Sequence, residues 1–320
     1  MEKMLIVSPS PHAKASHTTR SIMLDVIIAL VPALIAGICF YGLRALWLTA
    51  VSVVCCVGFE WLWEKSFKRT ITIGDLSAVV TGLLLAYNVP ANAPCYVVVV
   101  GAFVAIILAK QIFGGIGQNF INPALAARAF LLAGYSTSMR SFMVPTPGHL
   151  LSGTDAITSA TPLELMQNGL VDELPSLMDA FIGNIGGCLG EASALALLVG
   201  GLYLIVRRVI TWHIPVCYIG TVFILTTLFN GFDIAQSFYS LFLGGLMLGA
   251  FFMATDYTTT PMTIKGQIIF AVGAGVITTL VRLFGGYPEG VSYSILIMNL
   301  CVPLIDKYVK VRRFGEGAKA

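Results

Sequence analysis

The chain reads as an all-α membrane protein of ten transmembrane helices, arranged as two inverted five-helix repeats with broken or re-entrant segments. Three observations predict this. Of 320 residues, 57% are hydrophobic and 11% charged, where a soluble domain averages about 25% charged. The apolar residues gather into ten stretches, most of them near the ~20 residues that carry a helix across ~30 Å of hydrocarbon with its backbone satisfied internally. One stretch also recurs. Gly101-Ala102-Phe103-Val104 through Lys110, then Phe113-Gly114-Gly115, returns as Gly273-Ala274-Gly275-Val276 through Arg282, then Phe284-Gly285-Gly286.

After a polar N-terminal segment, residues 1–20, the first repeat (21–135) is expected to hold spans at 21–42, 45–63, 74–88, 94–111 and 120–135. The first apolar run exceeds signal-peptide length, so it is expected to stay as an anchor. The second ends in Glu60-Trp61-Leu62-Trp63-Glu64-Lys65, a composition found where helices meet the membrane interface. The third runs into a polar break, Asn88-Val89-Pro90-Ala91-Asn92-Ala93-Pro94, and the second half offers a counterpart in Asp256-Tyr257-Thr258-Thr259-Thr260-Pro261. The fifth is short and carries Arg128, so part of it is expected to be re-entrant.

A hydrophilic loop fills 136–185. The second repeat (186–309) follows, with spans at 186–206, 209–229, 235–254, 264–283 and 289–307, and then a polar tail at 310–320. Five spans is an odd number, so the second repeat would sit upside down relative to the first, with its break facing the opposite side around a site near the midplane. The competing explanation is chance likeness, because small residues and Phe-Gly-Gly recur in packed membrane helices. The glycine runs at 183–190 and 244–249 read as close helix packing. Gly114-Gly115-Ile116-Gly117-Gln118-Asn119 follows no strand, which excludes a phosphate loop.

Ten spans place both termini on one side, together with 15 of the 19 Lys and Arg residues. Cytoplasmic loops retain positive charge, so both termini are expected in the cytoplasm and the 136–185 loop outside. That loop carries Asp155, Glu164, Asp172, Glu173 and Asp179 against Arg140. Seven cysteines form no CxxC pair; they read as buried small hydrophobes. No metal site is expected from this chain alone, while a centre shared with a partner protein stays open.

The outer loop contains Asp155-Ala156-Ile157-Thr158-Ser159-Ala160-Thr161-Pro162-Leu163-Glu164. Thr161 offers a hydroxyl among small neighbours, followed by a proline that restricts the chain. That suits an acceptor site for a bulky group, and it equally suits a helix capping box with Glu164 three residues on. Ionisable residues at membrane depth are functional candidates: Asp25, Glu60, Glu191 and Asp256. Glu60, beside Trp61 and Trp63, reads equally as an interfacial anchor. Lys110 and Arg282 hold matching repeat positions near helix ends and are expected to snorkel.

Thr158-Ser159-Ala160-Thr161 resembles the flavinylation motif of the NqrB/RnfD family of membrane subunits, in which the phosphate of FMN is esterified to the last threonine. Gly117-Gln118-Asn119-Phe120-Ile121-Asn122-Pro123-Ala124-Leu125-Ala126-Ala127-Arg128-Ala129-Phe130 resembles the same family. So does Met253-Ala254-Thr255-Asp256 running through Arg282-Leu283-Phe284-Gly285-Gly286-Tyr287-Pro288-Glu289-Gly290. The likeness spans about residues 15–312, and the short N-terminal segment is more similar to the RnfD branch.

The resemblance implies FMN bound covalently to Thr161, with Thr158, Ser159 and Arg128 as contacts; Arg128 could instead pair with an acid. It implies a noncovalent riboflavin within the bundle. Asn119 and Asn122 could serve its polar ring edge or simply bond between helices. Asp25, Glu60 and Asp256 would mark an ion pathway. The implied role is an electron-relay subunit of a prokaryotic cell-membrane complex coupling ferredoxin:NAD+ electron transfer to Na+ or H+ translocation. Its partners would be an externally exposed covalent-FMN subunit, membrane iron-sulfur subunits, cytoplasmic NAD- and ferredoxin-reacting subunits, an FMN transferase and membrane lipids, with no nucleic acid. Two alternatives stand beside it: a subunit of a Na+-pumping NADH:quinone oxidoreductase, and a solute permease built on the same inverted repeat.

Overall fold

A computed structural model describes residues 18–145, 161–168, 170, 174–285 and 289–310. Among these residues the protein is helical, and its nearest approach to a sheet is one isolated antiparallel bridge between Pro90 and Cys188. The first half contains α1 (Thr19–Tyr41), α2 (Leu43–Ser66), α3 (Ser77–Tyr87), α4 (Cys95–Phe103), α5 (Pro123–Gly134) and the short α6 (Ser136–Arg140). Two brief helices, α7 (Pro162–Gln167) and α8 (Leu177–Ile182), precede α9 (Ala194–Val206), α10 (His213–Phe229), α11 (Ile234–Phe242), α12 (Leu246–Leu248), α13 (Ile264–Phe284) and α14 (Val291–Tyr308).

Local chemistry fixes many of these boundaries. Thr18 opens α1 in a reciprocal capping box with Ser21, and Gly42 turns the chain into α2 at φ 69°. Asp75 Oδ1 accepts from both the amide and the hydroxyl of Ser77 at the start of α3. α5 begins three residues later than its apolar pattern suggests. The Asn122 side chain accepts from the amides of Ala124 and Leu125, and Pro123 occupies the first helical position, where its missing N–H costs nothing.

Two helices change winding instead of ending. α4 continues as π-helix over Val104–Gln111, and α12 continues as π-helix over Gly249–Met253. Such segments are rare and concentrate at functional sites.

Three helices are by themselves long and apolar enough to cross a membrane: α1, α2 and α13. The bent pair Ile234–Phe242 and Leu246–Met253, with 66° between its parts, makes a fourth if taken as one span. Of the other apolar stretches, α10 and α14 are continuous at 17 and 18 residues, while several are interrupted. α3 stops after 11 residues, α5 has 12, and α9 starts only after an irregular passage that includes a 3-10 turn at Leu189–Glu191. Hydropathy reads an apolar run as one helix, whereas the backbone leaves helical geometry at Asn88, at Gly183 and after Met253.

α2 packs against α3 and α4, α10 against α11 and α13, and α1 crosses α9. That crossing is close because Gly200 has no side chain; a Cβ there would lie 2.0 Å from the Ala29 carbonyl oxygen. One buried cluster, including Leu48, Val97 and Ile106, belongs mostly to the first half. A larger one runs from α1 and α3 through the second half and includes Leu30, Leu197, Tyr218 and Phe270.

Candidate functional site

Two places draw the sequence-predicted residues together. The first is a half-open cavity of about 410 Å³ walled by α1, α3, both π-helical segments, the start of α5, the end of α9 and the break after Met253. Its apolar lining includes Val26, Val80, Leu84, Phe251 and Phe252, and its polar lining includes Ser77, Lys110, Asn119, Asn122, Thr255 and Asp256. Asn122 caps α5 and donates from Nδ2 to the Met253 carbonyl at 3.2 Å. It thereby ties the start of α5 to the second π-helical segment. Asn119 donates to the Ile121 carbonyl at 3.2 Å. Both asparagines therefore hold broken backbone together and also face the cavity. Asp256 accepts from the hydroxyls of Thr258 at 3.1 Å and Thr259 at 3.4 Å.

The second place surrounds Thr161. This residue is buried at 6% exposure and caps α7. Its Oγ1 accepts from the Glu164 amide at 3.2 Å while a Glu164 carboxylate oxygen accepts from the Thr161 amide at 3.2 Å. Leu163 anchors α7 in a small apolar cluster with Ala180, Ile185, Tyr239 and Leu243, and Gln167 donates to the Arg282 carbonyl at 2.7 Å. Thr161 shares a narrow crevice with Gly186, Gly244, Glu191 and Glu289. Those two acids lead directly to Arg128.

Arg128 is buried at the centre of a dense polar knot. It donates to Asn88 Oδ1, to Glu191 Oε1 at 3.4 Å and to Cys188 Sγ at 3.6 Å, and it forms an ion pair with Glu289. Ligand atoms of Cys188, Glu191 and Glu289 lie within 4.8 Å of one another, but the guanidinium sits among them as their counter-charge. The backbone closes tightly here: the Leu189 amide bonds to the Val89 carbonyl at 3.1 Å. A Cβ at Gly190 would lie 2.3 Å from Cβ of Tyr87.

Of the remaining candidates, Asp25 is buried on α1 and accepts from the Tyr203 hydroxyl at 3.0 Å. It pairs with half-exposed Arg207 at 3.3 Å, and that hydrogen bond raises the Arg207 pKa above its ordinary value. Glu60 is 1% exposed and bonded to Lys110 at 2.7 Å and to Gln111 Nε2 at 2.7 Å, so its carboxylate turns into the protein. Thr158 and Ser159 lie outside the described residues.

The expectation that Lys110 and Arg282 snorkel is corrected, because both are buried, at 3% and 5% exposure. The protein supplies partners that make a reach to water unnecessary. Arg282 donates to the carbonyls of Ser240 at 2.8 Å and Leu243 at 3.0 Å. Sequence reading also missed Glu289 as an Arg128 partner. Its one signal was its place in the Arg282–Gly290 stretch.

Fold and site together define a helical membrane protein with a partly polar cavity inside its bundle and an inward-packed threonine on a short capped helix. The chain belongs to the NQR2, RnfD, RnfE family, whose model matches residues 6–315.

Among its relatives, the D subunit of the Na(+)-translocating ferredoxin:NAD(+) oxidoreductase complex of Acetobacterium woodii is 52% identical, over 98% of this chain and 96% of that protein. The D subunit of the proton-translocating ferredoxin:NAD(+) oxidoreductase complex of Clostridium ljungdahlii is 43% identical, over 98% of this chain and 97% of its own length. The D subunit of the ion-translocating oxidoreductase complex of Halorhodospira halophila is 36% identical, over 96% of this chain and 94% of that protein.

Proposed function

We propose that this chain is the flavin-bearing electron-relay subunit of a membrane complex that couples electron transfer between ferredoxin and NAD+ to Na+ or H+ translocation. The observation that carries this is the end-to-end likeness to relatives named as the D subunits of such complexes, at 52% and 43% identity over 98% of the chain. Those two names differ in the ion, so likeness alone leaves Na+ and H+ equal. The other subunits of such a complex would supply the ferredoxin and NAD+ sites, the iron-sulfur clusters and an external FMN subunit to meet the Thr161 loop.

The lining of the large cavity suits one noncovalent flavin, and Thr161 offers the hydroxyl for a second, tethered one. A cavity of about 410 Å³ falls within the ~300–1,000 Å³ of small-molecule sites. Phe251, Phe252 and Tyr257 supply aromatic surface for a flat ring, and Asn119 and Asn122 supply amides for its polar edge. Thr161 is the expected covalent acceptor. Its Oγ1 takes part in the α7 cap as an acceptor, and an ester oxygen keeps lone pairs, so capping and phosphoester attachment are compatible. Arg128 is already engaged by two carboxylates, and direct contact with a phosphate would require Glu289 or Glu191 to yield. A bound flavin would supply one- or two-electron chemistry, while the protein fixes its position and potential.

The full architecture proposed is ten spans in two inverted repeats in a prokaryotic cell membrane. Supporting it, α2 packs on α3 and α4 as α10 packs on α11 and α13, and the repeat-matched Lys110 and Arg282 both turn inward. The charge split supports cytoplasmic termini and an external 136–185 loop, where an FMN transferase would act. Asp25, Glu60 and Asp256 are the candidate acids for ion movement.

The test is in-gel fluorescence of the purified, denatured chain, with the released supernatant assayed for riboflavin. A fluorescent band that disappears in Thr161→Val, together with free riboflavin, is the expected result. No flavin in either fraction would favour a permease.

A further inference from the structure

The Glu60–Lys110 pair is buried, with side chains 1% and 3% exposed. Lys110 Nζ donates to Glu60 Oε1 at 2.7 Å and to Ser77 Oγ at 2.6 Å, and Gln111 donates to the same glutamate oxygen at 2.7 Å. The other oxygen of Glu60 has no hydrogen-bond partner among the described residues, so this acid is committed to one side, the π-helical end of α4. Lys110 and Ser77 both line the cavity, whereas Glu60 does not. The pair thus turns its positive end toward the cavity and its negative end away.

A buried ion pair is a weak device for stability alone, because well-packed apolar residues of similar volume are often as good or better. The repeat-matched Arg282 shows the contrast. It is held by two carbonyls, forms no ion pair among the described residues and does not line the cavity. Of these two matched cations, only the first-half copy combines an acid that holds it in place with a position on the cavity wall. The other charged group on the described lining is Asp256, whose carboxylate is occupied by the threonines of its own turn.

We propose that Lys110 is a potential-setting residue for the redox ligand of this cavity: its ammonium stabilises the reduced, more negatively charged ring over the oxidised one. Glu60 and Ser77 act as positioning residues that hold the ammonium at the wall. No bond forms or breaks on Lys110; the electrons come from the relay, and the lysine contributes only charge. This inference rests on the reading that the cavity holds a flavin.

The test uses the full-length chain with Thr161→Val, so that any bound flavin is noncovalent. Riboflavin is titrated under anaerobic conditions in its oxidised and its dithionite-reduced form. Lys110→Met is expected to lower the ratio of reduced to oxidised affinity by about tenfold, equivalent to about 30 mV for a two-electron couple. Lys110→Arg is expected to retain the ratio. Because Lys110→Met strands a buried glutamate, the double variant Lys110→Met/Glu60→Met provides a neutral, apolar pair that folds without an orphan charge, and it is expected to shift the ratio in the same direction. An unchanged ratio in the double variant overturns the proposal. If the chain with Lys110 intact binds riboflavin in neither form, the flavin reading itself fails and takes the proposal with it.

Discussion

Arg128 shows how far one residue can be read from sequence and where that stops. A cation in an apolar stretch had to find partners, and an acid was one of the two readings open to it. Which acids was invisible, because Glu191 and Glu289 come from the other half of the chain and Asn88 from the break that follows α3. The identity of those partners carries the energetics. Arg128→Met leaves two carboxylates without their shared cation, and breaking a buried pair typically costs about 3–5 kcal/mol. Thermal unfolding in detergent should show a pronounced drop in midpoint, whereas Arg207→Met, which removes a half-exposed guanidinium and leaves Asp25 its Tyr203 hydroxyl, should shift it less.

Thr161 was legible in a different way. The sequence allowed it to be a cap or an acceptor, and the geometry makes it a cap whose chemistry leaves the second role open.

At the level of elements, hydropathy located the apolar stretches but not their interruptions. The polar break at Asn88–Pro94 was visible because its residues are polar. The π-helical runs were not, since Val104–Gln111 and Gly249–Met253 have compositions any apolar helix could carry.

The boundary of α5 rests on Asn122, which both caps the helix and reaches Met253. Asn122→Ala removes the cap, worth about 1 kcal/mol, and leaves the Met253 carbonyl short of a donor. The expected outcome is a modest fall in thermal midpoint accompanied by a larger loss of retained riboflavin, because the same residue faces the cavity. Equal loss in a control such as Ser176→Ala, which uncaps α8 away from the cavity, would show that the effect is only stability.

For the whole molecule, the composition announced a helical membrane protein. The geometry adds that non-helical segments distant in sequence meet: Val89 and Pro90 lie against Leu189 and Cys188, and Asn122 reaches Met253. Polar residues from broken helices therefore form both the knot beneath Thr161 and the wall of the cavity. Asn88 links the two regions, accepting from Arg128 and donating to the Leu84 carbonyl, and Leu84 lines the cavity. Long-range pairings of this kind have no local signature, which is why the sequence identified single candidates but not the company they keep.

The proposed function places a covalent flavin on the hydroxyl of Thr161. It is tested most directly by mass spectrometry of the tryptic peptide spanning residues 141–207, which contains Thr161 and no internal Lys or Arg. A peptide heavier by one FMN less one water is expected, with fragmentation placing the addition on Thr161 and the addition absent in Thr161→Val. An unmodified peptide from a complex whose other covalent flavins are present would contradict it.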